Sequence, residues 1–175
     1  ILPVSYFLIT FTLPCELRVL TFLNQRAVFS LFFLCVASTL KDFGLNPEKL
    51  GASIGMTMVL HTHSRRLDFH PHIHVVVPGG GIDISRRQWK KKKGKVLFHH
   101  KALAKVFRAR FLKGLNNSKL TIPGQVPKEW VVDCSHTGNG INALKYLSRY
   151  LYRGVISEKN ITANRNGMVT FKYIE

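Results

Sequence analysis

Residues 69–81 read Phe-His-Pro-His-Ile-His-Val-Val-Val-Pro-Gly-Gly-Gly, and the rest of the predicted fold is built around them. Successive side chains of a β-strand point to opposite faces, so the alternation over residues 72–77 predicts a strand with two different faces. His72 and His74 share one face, and the other face is aliphatic. The aliphatic side chains are Ile73, Val75 and Val77. The stretch therefore predicts a strand that buries its aliphatic face and carries two imidazoles on the other.

The two histidines predict half of a metal site, because a rigid strand holds side chains at i and i+2 next to each other. A strand predicted at residues 55–63 places His61 and His63 on one face, and residues 64–69 would join the two strands into an antiparallel pair. A firmly held divalent cation, Mg²⁺ or Mn²⁺, needs a third ligand, and the register of the pair decides which residue supplies it. We favour His61. The alternatives are His63, His70 and Asp68.

Further strands and helices are predicted before and after this pair from the spacing of apolar and β-branched residues. The predicted strands cover residues 5–13, 82–84, 130–134 and 169–174, and the predicted helices cover residues 16–43, 47–54 and 100–115. Residues 78–81 predict a flexible glycine turn, and residues 89–95 predict an exposed turn or hairpin tip. This order indicates an α+β fold with a central antiparallel sheet flanked by helices. We expect one domain over residues 1–175, truncated at both ends from a longer protein.

Residues 142–154, Asn-Ala-Leu-Lys-Tyr-Leu-Ser-Arg-Tyr-Leu-Tyr-Arg-Gly, predict a short helix with two phenols on one side. Tyr146 and Tyr150 are separated by about 40° around the helix axis, and Arg149 and Arg153 fall within about 60° of Tyr146. Three leucines form an apolar stripe on the other side, which is expected to dock the helix on the core. They are Leu144, Leu147 and Leu151.

The chain has a formal charge of +17, from 26 Lys plus Arg against 9 Asp plus Glu, which predicts a polyanionic partner. Nucleic acid is favoured over a membrane, because the apolar N-terminal third has no run of the roughly 18 to 20 apolar residues that a span needs. Two basic segments are expected to contact DNA phosphates together with Arg149 and Arg153. Their side chains are Lys90, Lys91, Lys92, Lys93 and Lys95 in the first segment, and Lys105 and Arg108 in the second. We expect a cytoplasmic protein without a membrane partner.

Metal-binding histidines beside a tyrosine pair on a basic domain predict attack of a phenol on a DNA phosphodiester. A free phenol is a weak nucleophile, so a metal that polarises the phosphate would activate the reaction. The products would be a 5′-phosphotyrosine and a free 3′-OH. The carboxylates are sparse and scattered, which argues against a nuclease with clustered acidic residues around two metals, and neither a P-loop nor a dinucleotide fingerprint is present.

These motifs together resemble the two-tyrosine rolling-circle transposases of bacterial insertion sequences, which belong to the HUH endonuclease superfamily. The resemblance rests on residues 60–62, 69–81, 130–132, 144–150 and 155–157, with further likeness at residues 11–14, 101–103 and 107–108. It implies that His72 and His74 bind the metal, and that Tyr146 and Tyr150 are the nucleophiles. It also implies a tyrosine helix lying across the sheet from the histidines, and a DNA partner that is single-stranded or forms the hairpin ends of a mobile element.

Other functions remain open at this point. A plasmid replication initiator or relaxase would use the same chemistry in another biological setting. A non-catalytic nucleic-acid-binding domain would use the histidines and tyrosines as structural residues. A metal-dependent hydrolase would attack the phosphate with activated water in place of a tyrosine.

Overall fold

The computed structural model describes residues 2–64, 66–152 and 158–172, and the side chains of residues 149–152 fall outside that description. The helices are α1 (Arg18–Leu23), α2 (Gln25–Leu45), α3 (His100–Asn117) and α4 (Ile141–Tyr152). The strands are β1 (Tyr6–Thr12), β2 (Thr57–His63), β3 (Phe69–Pro78), β4 (Gly80–Asp83), β5 (Gln88–Lys91), β6 (Val132–His136), β7 (Ile161–Arg165) and β8 (Met168–Phe171).

A four-stranded antiparallel sheet in the order β2-β3-β1-β6 lies at the centre of the fold. Its strand β3 contains the histidine motif and is hydrogen-bonded on both sides, to β2 and to β1. The register pairs His61 with His72 and Thr10 with His74. The predicted α+β class with a central antiparallel sheet is therefore confirmed, as is the predicted pairing of the two histidine-bearing strands.

The two faces of this sheet are covered by different helices. The aliphatic face of β3 packs with the phenylalanines of β1 under α2 and α3, where the rings of Phe32 and Phe107 stack with centroids 5.5 Å apart. On the opposite face, Ala143 and Leu147 of α4 pack in a smaller cluster. That cluster also contains Tyr6, Val59 and Val76. The sheet thus separates a large apolar core from the side that carries His72 and His74.

Helix α2 is long and apolar enough to cross a membrane by length and composition alone, with a mean hydropathy of 1.6. In the fold it is a core helix, because Val28, Phe32, Val36 and Leu40 are fully buried against the sheet and α3. Its burial is consistent with the expectation of a buried helix in the apolar N-terminal third.

The predicted helix over residues 16–43 is two helices, because the chain breaks at Asn24 (φ −130°, ψ 38°). The Asn24 side-chain amide donates a hydrogen bond to the carbonyl of Leu20, which caps α1 in place of continuing it. The predicted stop at Gly44 was also wrong, since α2 continues to Leu45. A Cβ on Gly44 would lie 3.0 Å from the carbonyl oxygen of Ala52, so this glycine serves a close approach between two segments.

The helix predicted over residues 47–54 was wrong. The N–H groups of Lys49, Leu50 and Gly51 all donate to the carbonyl of Asn46, which makes a single turn. Gly51 then adopts a positive φ of 64°, and the chain runs on to Ser53, which forms a β-bridge with Ile82. The tertiary bridge outweighs the weak local preference for a helix.

The predicted glycine turn and the predicted lysine tip are instead parts of a two-stranded ribbon, in which β4 pairs with β5. Gly80 and Gly81 belong to β4, and a Cβ on Gly81 would lie 2.5 Å from the carbonyl oxygen of Ser53. These glycines therefore permit close backbone packing, while Lys90 and Lys91 lie in β5. The strand predicted at residues 169–174 corresponds to β8, which ends at Phe171, and residues 173 and 174 lie outside the described part of the chain. Its partner β7 was not predicted.

Candidate metal centre and nucleophile

Three imidazoles from two neighbouring strands meet on the α4 side of the sheet. His72 and His74 project from the same face of β3, and His61 lies on β2 directly across from His72. One ring nitrogen from each residue lies within 4.8 Å of the other two, and the ring centroids are 4.6–5.1 Å apart. Nitrogens bound to one ion at about 2.1 Å lie roughly 3.0–3.4 Å apart, so binding would draw these three nitrogens closer together. We call His61, His72 and His74 the histidine triad, and it could hold a metal ion.

Hydrogen bonds fix two rings of the triad. The Nδ1 of His74 lies 2.8 Å from the Thr10 hydroxyl on β1, and the Nδ1 of His72 donates to the carbonyl of His70 at 2.7 Å. Such partners orient an imidazole and leave Nε2 available as the ligand atom. The Nε2 of His74 is buried without a hydrogen-bond partner among the described residues, which fits an atom that could bind a metal ion.

The triad is held in its neutral, ligating form by its surroundings. Burial, and then the charge of His72, lower the pKa of His61 to about 4. Burial, and then the charges of His61 and His72, lower the pKa of His74 to about 4. Burial also lowers the pKa of His72, against the hydrogen bond to His70. Neutral imidazoles bind metals and protonated ones do not, so all three are ready to bind at neutral pH.

The depressed pKa values predict acid sensitivity of the metal-free protein. In the unfolded chain these histidines take up protons near pH 6.5, whereas in the folded triad they do not. The contribution of the triad to the free energy of unfolding is therefore fully present above pH 6.5 and is lost as the pH falls toward 4. We expect a loss of roughly 2–4 kcal/mol in the free energy of unfolding, measured by urea titration with chelator present. His74→Gln should reduce that loss, whereas His100→Gln on the exposed start of α3 should not. An identical loss in His74→Gln would contradict the assignment.

The three alternative ligands are not members of the triad, although the ring of His70 lies next to it, with its centroid 5.3 Å from that of His72. A β-bulge separates His61 from His63, whose Nδ1 lies 2.9 Å from the Thr62 hydroxyl. His70 is hydrogen-bonded to the Arg18 guanidinium at 3.1 Å, and Asp68 accepts a hydrogen bond from the Ser64 hydroxyl. Among the described residues, His61 is the candidate whose ring nitrogen lies within 4.8 Å of ring nitrogens of both His72 and His74.

Helix α4 lies over the triad and brings Tyr146 to it. The Tyr146 ring is half-buried, with its centroid 5.7 Å from that of His74 and 6.3 Å from that of His61. The predicted leucine stripe does dock α4, because Leu147 is buried and Leu144 packs against the same cluster, while the side chain of Leu151 lies outside the described residues. The expected separation of that stripe from the tyrosines is not seen, because Tyr146 borders the same cluster. Tyr146 thus faces the histidines as predicted. The side chains of Tyr150 and Arg149, and all of Arg153, lie outside the described residues.

The predicted phosphate contacts occupy two surfaces away from the triad. Lys90 and Lys91 are exposed on β5, in a ribbon that begins after the last residue of β3, whereas His72 and His74 are the fourth and sixth residues of the 10 in that strand. Lys92, Lys93 and Lys95 follow β5. Lys105 is exposed on α3, on the other side of the sheet, and Arg108 is half-buried with its Nε donating to the carbonyl of Pro127.

Two supporting residues were missed in the sequence. Thr10 is the polar residue between the buried Ile9 and Phe11 of β1, so the strand alternation could have placed it on the histidine face. Gly140 precedes α4 with φ +75°, and its carbonyl accepts the N–H of Leu144. No spacing rule in the sequence indicates that its missing side chain makes room for the ring of Tyr6.

Gly140→Ala is expected to undock α4. A Cβ there would lie 2.6 Å from Cγ of Tyr6, whereas Gly138, which also has a positive φ, has open space around its Cβ position. We expect about 1 kcal/mol of destabilisation for Gly138→Ala from backbone strain alone, and about 3 kcal/mol for Gly140→Ala from strain plus overpacking, by chemical denaturation. Equal costs for the two variants would mean that the Tyr6 contact does not hold α4 in place.

Comparison with known proteins gives consistent results. Residues 55–175 match a protein family described as "Putative transposase". The chain is 31% identical over 195 residues to "Putative transposase y4qJ" of Sinorhizobium fredii, covering 99% of this chain and 49% of that protein. It is 30% identical over 189 residues to the transposase for insertion sequence element IS801 of Pseudomonas savastanoi pv. phaseolicola, covering 95% and 44%. The chain spans about half the length of these curated relatives.

Solved structures of the conjugative relaxase TrwC share the fold. The metal-bound complex of that protein with oriT DNA superposes with a TM-score of 0.55 at 18% identity, over 81% of this chain and 52% of the relaxase chain. Its complex with a 27-mer DNA that comprises the recognition hairpin and the cleavage site gives 0.53 at 17% identity, over 89% and 61%. The antiparallel sheet with flanking helices is therefore shared with experimentally determined structures.

Proposed function

The chain belongs to the family described as "Putative transposase", and on this premise we propose that it is the catalytic domain of an insertion-sequence transposase. It cleaves and joins single-stranded DNA through a covalent tyrosine intermediate, with the help of a divalent cation. The position of Tyr146 beside the histidine triad is the observation that most supports covalent chemistry, because it puts a nucleophile next to a cation site.

In the proposed reaction the Tyr146 hydroxyl oxygen attacks the phosphorus of a phosphodiester. The new O–P bond replaces the bond from phosphorus to the 3′ oxygen, the phenol loses its proton to solvent, and the departing 3′ oxygen takes one up. The products are a 5′-phosphotyrosine and a free 3′-OH. Because one phosphoester bond replaces another, a second 3′-OH can run the step backwards and join two strands.

The histidine triad prepares the site for this attack. A cation bound there would polarise the phosphate and neutralise the charge on its non-bridging oxygens. The Thr10 hydroxyl and the His70 carbonyl hold the rings of His74 and His72 in place before the cation arrives. Of the two predicted cations, Mn²⁺ suits a set of imidazole nitrogens better than Mg²⁺, which prefers oxygen ligands.

DNA is the proposed partner, single-stranded or folded into the hairpin ends of a mobile element. The formal charge of +17 supports a polyanion, and the relaxase that shares this fold has been solved with oriT DNA. Arg149 and Arg153 are proposed to contact phosphates near the tyrosine, and the lysines at 90–93 and 95 to contact phosphates further away. The protein would work in the cytoplasm, where cellular DNA is accessible.

A relaxase or replication initiator is the second candidate, favoured by the relaxase fold at a TM-score of 0.55. It would cleave one origin and rejoin the same strand. A transposase joins the cleaved end to an unrelated DNA, so supplying a second oligonucleotide with a free 3′-OH distinguishes the two.

The central experiment is to incubate the protein with Mn²⁺ and a single-stranded oligonucleotide that carries an element end, and to look for an adduct that survives denaturation. Mass spectrometry of the digested adduct identifies the modified tyrosine. A folded, cation-loaded protein that cuts DNA without any adduct would point to activated water as the nucleophile. A protein that binds DNA and never cuts it would be a binding domain.

A further inference from the structure

A basic pocket of about 470 Å³ lies between α3 and the chain segment that leads into β6, on the sheet face opposite the histidine triad. It runs along one side of the first half of α3. Its basic lining residues are His100, Lys101, Lys105, Arg108 and Lys128. Glu129 is the acidic residue in the wall, so the pocket has a strongly positive balance. A concave site of this volume is large enough for one nucleotide.

The positive charge of the pocket is not neutralised within the described part of the chain. The lysines at 101, 105 and 128 are exposed and form no ion pair there, in contrast to Arg110, which pairs with Asp42 on α2. Arg108 is held at the wall by the bond from its Nε to the carbonyl of Pro127. A guanidinium fixed in this way is preorganised for phosphate.

The start of α3 adds to this positive field. The helix begins at His100, its N-cap residue His99 makes no side-chain capping bond, and its first turn contains no acidic residue. Uncapped N–H groups at the start of an 18-residue helix favour an anion, here alongside the lysines and the arginine.

Trp130 forms an apolar part of the wall together with Ala104. It is 7% exposed and packs edge-on against Phe107 and Phe111, with ring centroids 5.4 and 5.7 Å away. Its indole N–H is buried without a hydrogen-bond acceptor among the described residues. Because that N–H has almost no accessible surface, Trp130 offers a ligand part of its ring and not its N–H.

We propose that this pocket binds one nucleotide of single-stranded DNA outside the cleavage site, with its phosphate among the basic residues and its sugar or base against Ala104 and Trp130. The inference that the bound nucleotide belongs to single-stranded DNA rests on the proposed function. Because the sheet separates the pocket from the histidine triad, the pocket holds the strand without touching the reacting phosphate. It strengthens binding of the substrate and leaves the chemical step unchanged.

Trp130 offers a direct reporter. The chain has 2 tryptophans, so in Trp89→Phe the emission comes from Trp130 alone. Titration with a short single-stranded oligonucleotide, with chelator present to prevent cleavage, should change this emission in a saturable way. Binding detected by fluorescence anisotropy of a labelled oligonucleotide without any change in Trp130 emission would overturn the proposal.

A matched pair of double variants tests the charge. Lys101→Gln with Lys105→Gln removes two pocket lysines, and Lys41→Gln with Lys113→Gln removes two exposed helix lysines outside the pocket. The pocket variant should bind single-stranded DNA about 10-fold more weakly, with a salt dependence reduced by about one to two phosphate contacts. The control should lose less than about 3-fold. Equal losses in both variants would reduce the pocket to general surface charge and overturn the proposal.

Two further measurements distinguish binding of free phosphate from binding of DNA, and the holding of DNA from the chemical step. If inorganic phosphate alone produced the Trp130 change and DNA did not, the site would bind free anions and the DNA assignment would fail. At saturating DNA the pocket variant should form the tyrosine adduct at the wild-type rate, whereas loss of adduct at saturation would contradict a holding role. Failure of adduct formation in the wild-type protein would refute the proposed chemistry and leave the binding measurements valid.

Discussion

Tyr146→Phe is expected to abolish the covalent adduct with single-stranded DNA, lowering the rate of cleavage by at least about 10³-fold. The variant loses one hydroxyl oxygen and keeps the ring that packs near His74 and His61, so the fold of α4 is preserved. The measurement is single-turnover cleavage of a labelled oligonucleotide with Mn²⁺, followed on denaturing gels. The geometry supports a role for Tyr146, because its ring lies beside the triad. The side chain of Tyr150 lies outside the described residues.

Tyr6→Phe is the matched control. It removes the same atom from the cluster beneath α4, where the Tyr6 hydroxyl accepts a hydrogen bond from the N–H of Leu2. It should cost about 1 kcal/mol of stability and leave the adduct intact. An adduct that maps to Tyr150 in the wild-type protein, or that survives Tyr146→Phe undiminished, would give the first attack to Tyr150. Cleavage that persists in the double variant with Tyr150→Phe would assign the attack to water.

His72→Ala is expected to lower the affinity for Mn²⁺ by roughly 10²–10³-fold and to reduce cleavage in proportion. Loss of residues that only orient a metal ligand typically costs about 10–100-fold, so loss of one ligand of three should cost more. Titration calorimetry gives the affinity independently of activity. High Mn²⁺ should partly restore cleavage, because the other two ligands remain.

His63→Ala is the control for the metal experiment. His63 lies on the same strand as His61, but the bulge and its contacts with Thr62 and Phe69 keep it out of the triad. It should change Mn²⁺ affinity by less than about 3-fold. If His63→Ala weakened binding as much as His72→Ala, the third ligand would be His63, and the arrangement of β2 would have to change when the cation binds.

The parts of the fold that could be predicted are those that depend on a regular local spacing of apolar residues. The period of two across β3 identified a strand with a histidine face, and the helical spacing of apolar residues identified α3 and α4. The choice of His61 required the register of β2 against β3, which depends on a bulge near His63 that no local pattern marks.

The errors occurred where a distant contact decided the local structure. Residues 47–54 have a helix-like start, but Ser53 bonds to Ile82 across the fold and keeps the chain extended. Gly80 and Gly81 have the sequence of a turn, but they lie in a strand where neighbouring backbone segments leave no room for a side chain. On α4, Leu144 and Leu147 of the predicted stripe do pack on the sheet, but the room that Gly140 leaves beside Tyr6 belongs to a docking that also buries Ala143, which was not predicted.

The strand β3 is hydrogen-bonded along both edges, whereas α4 is docked on the sheet mainly by Ala143 and Leu147 among its described side chains. Amide hydrogen exchange should therefore divide the site into two units. The β3 amides should exchange only when the whole protein unfolds, and the α4 amides through cheaper local opening. The proposed nucleophile would then lie on a helix that opens locally over a rigid strand with the proposed metal ligands. DNA ends could enter and leave while the imidazoles stay in place.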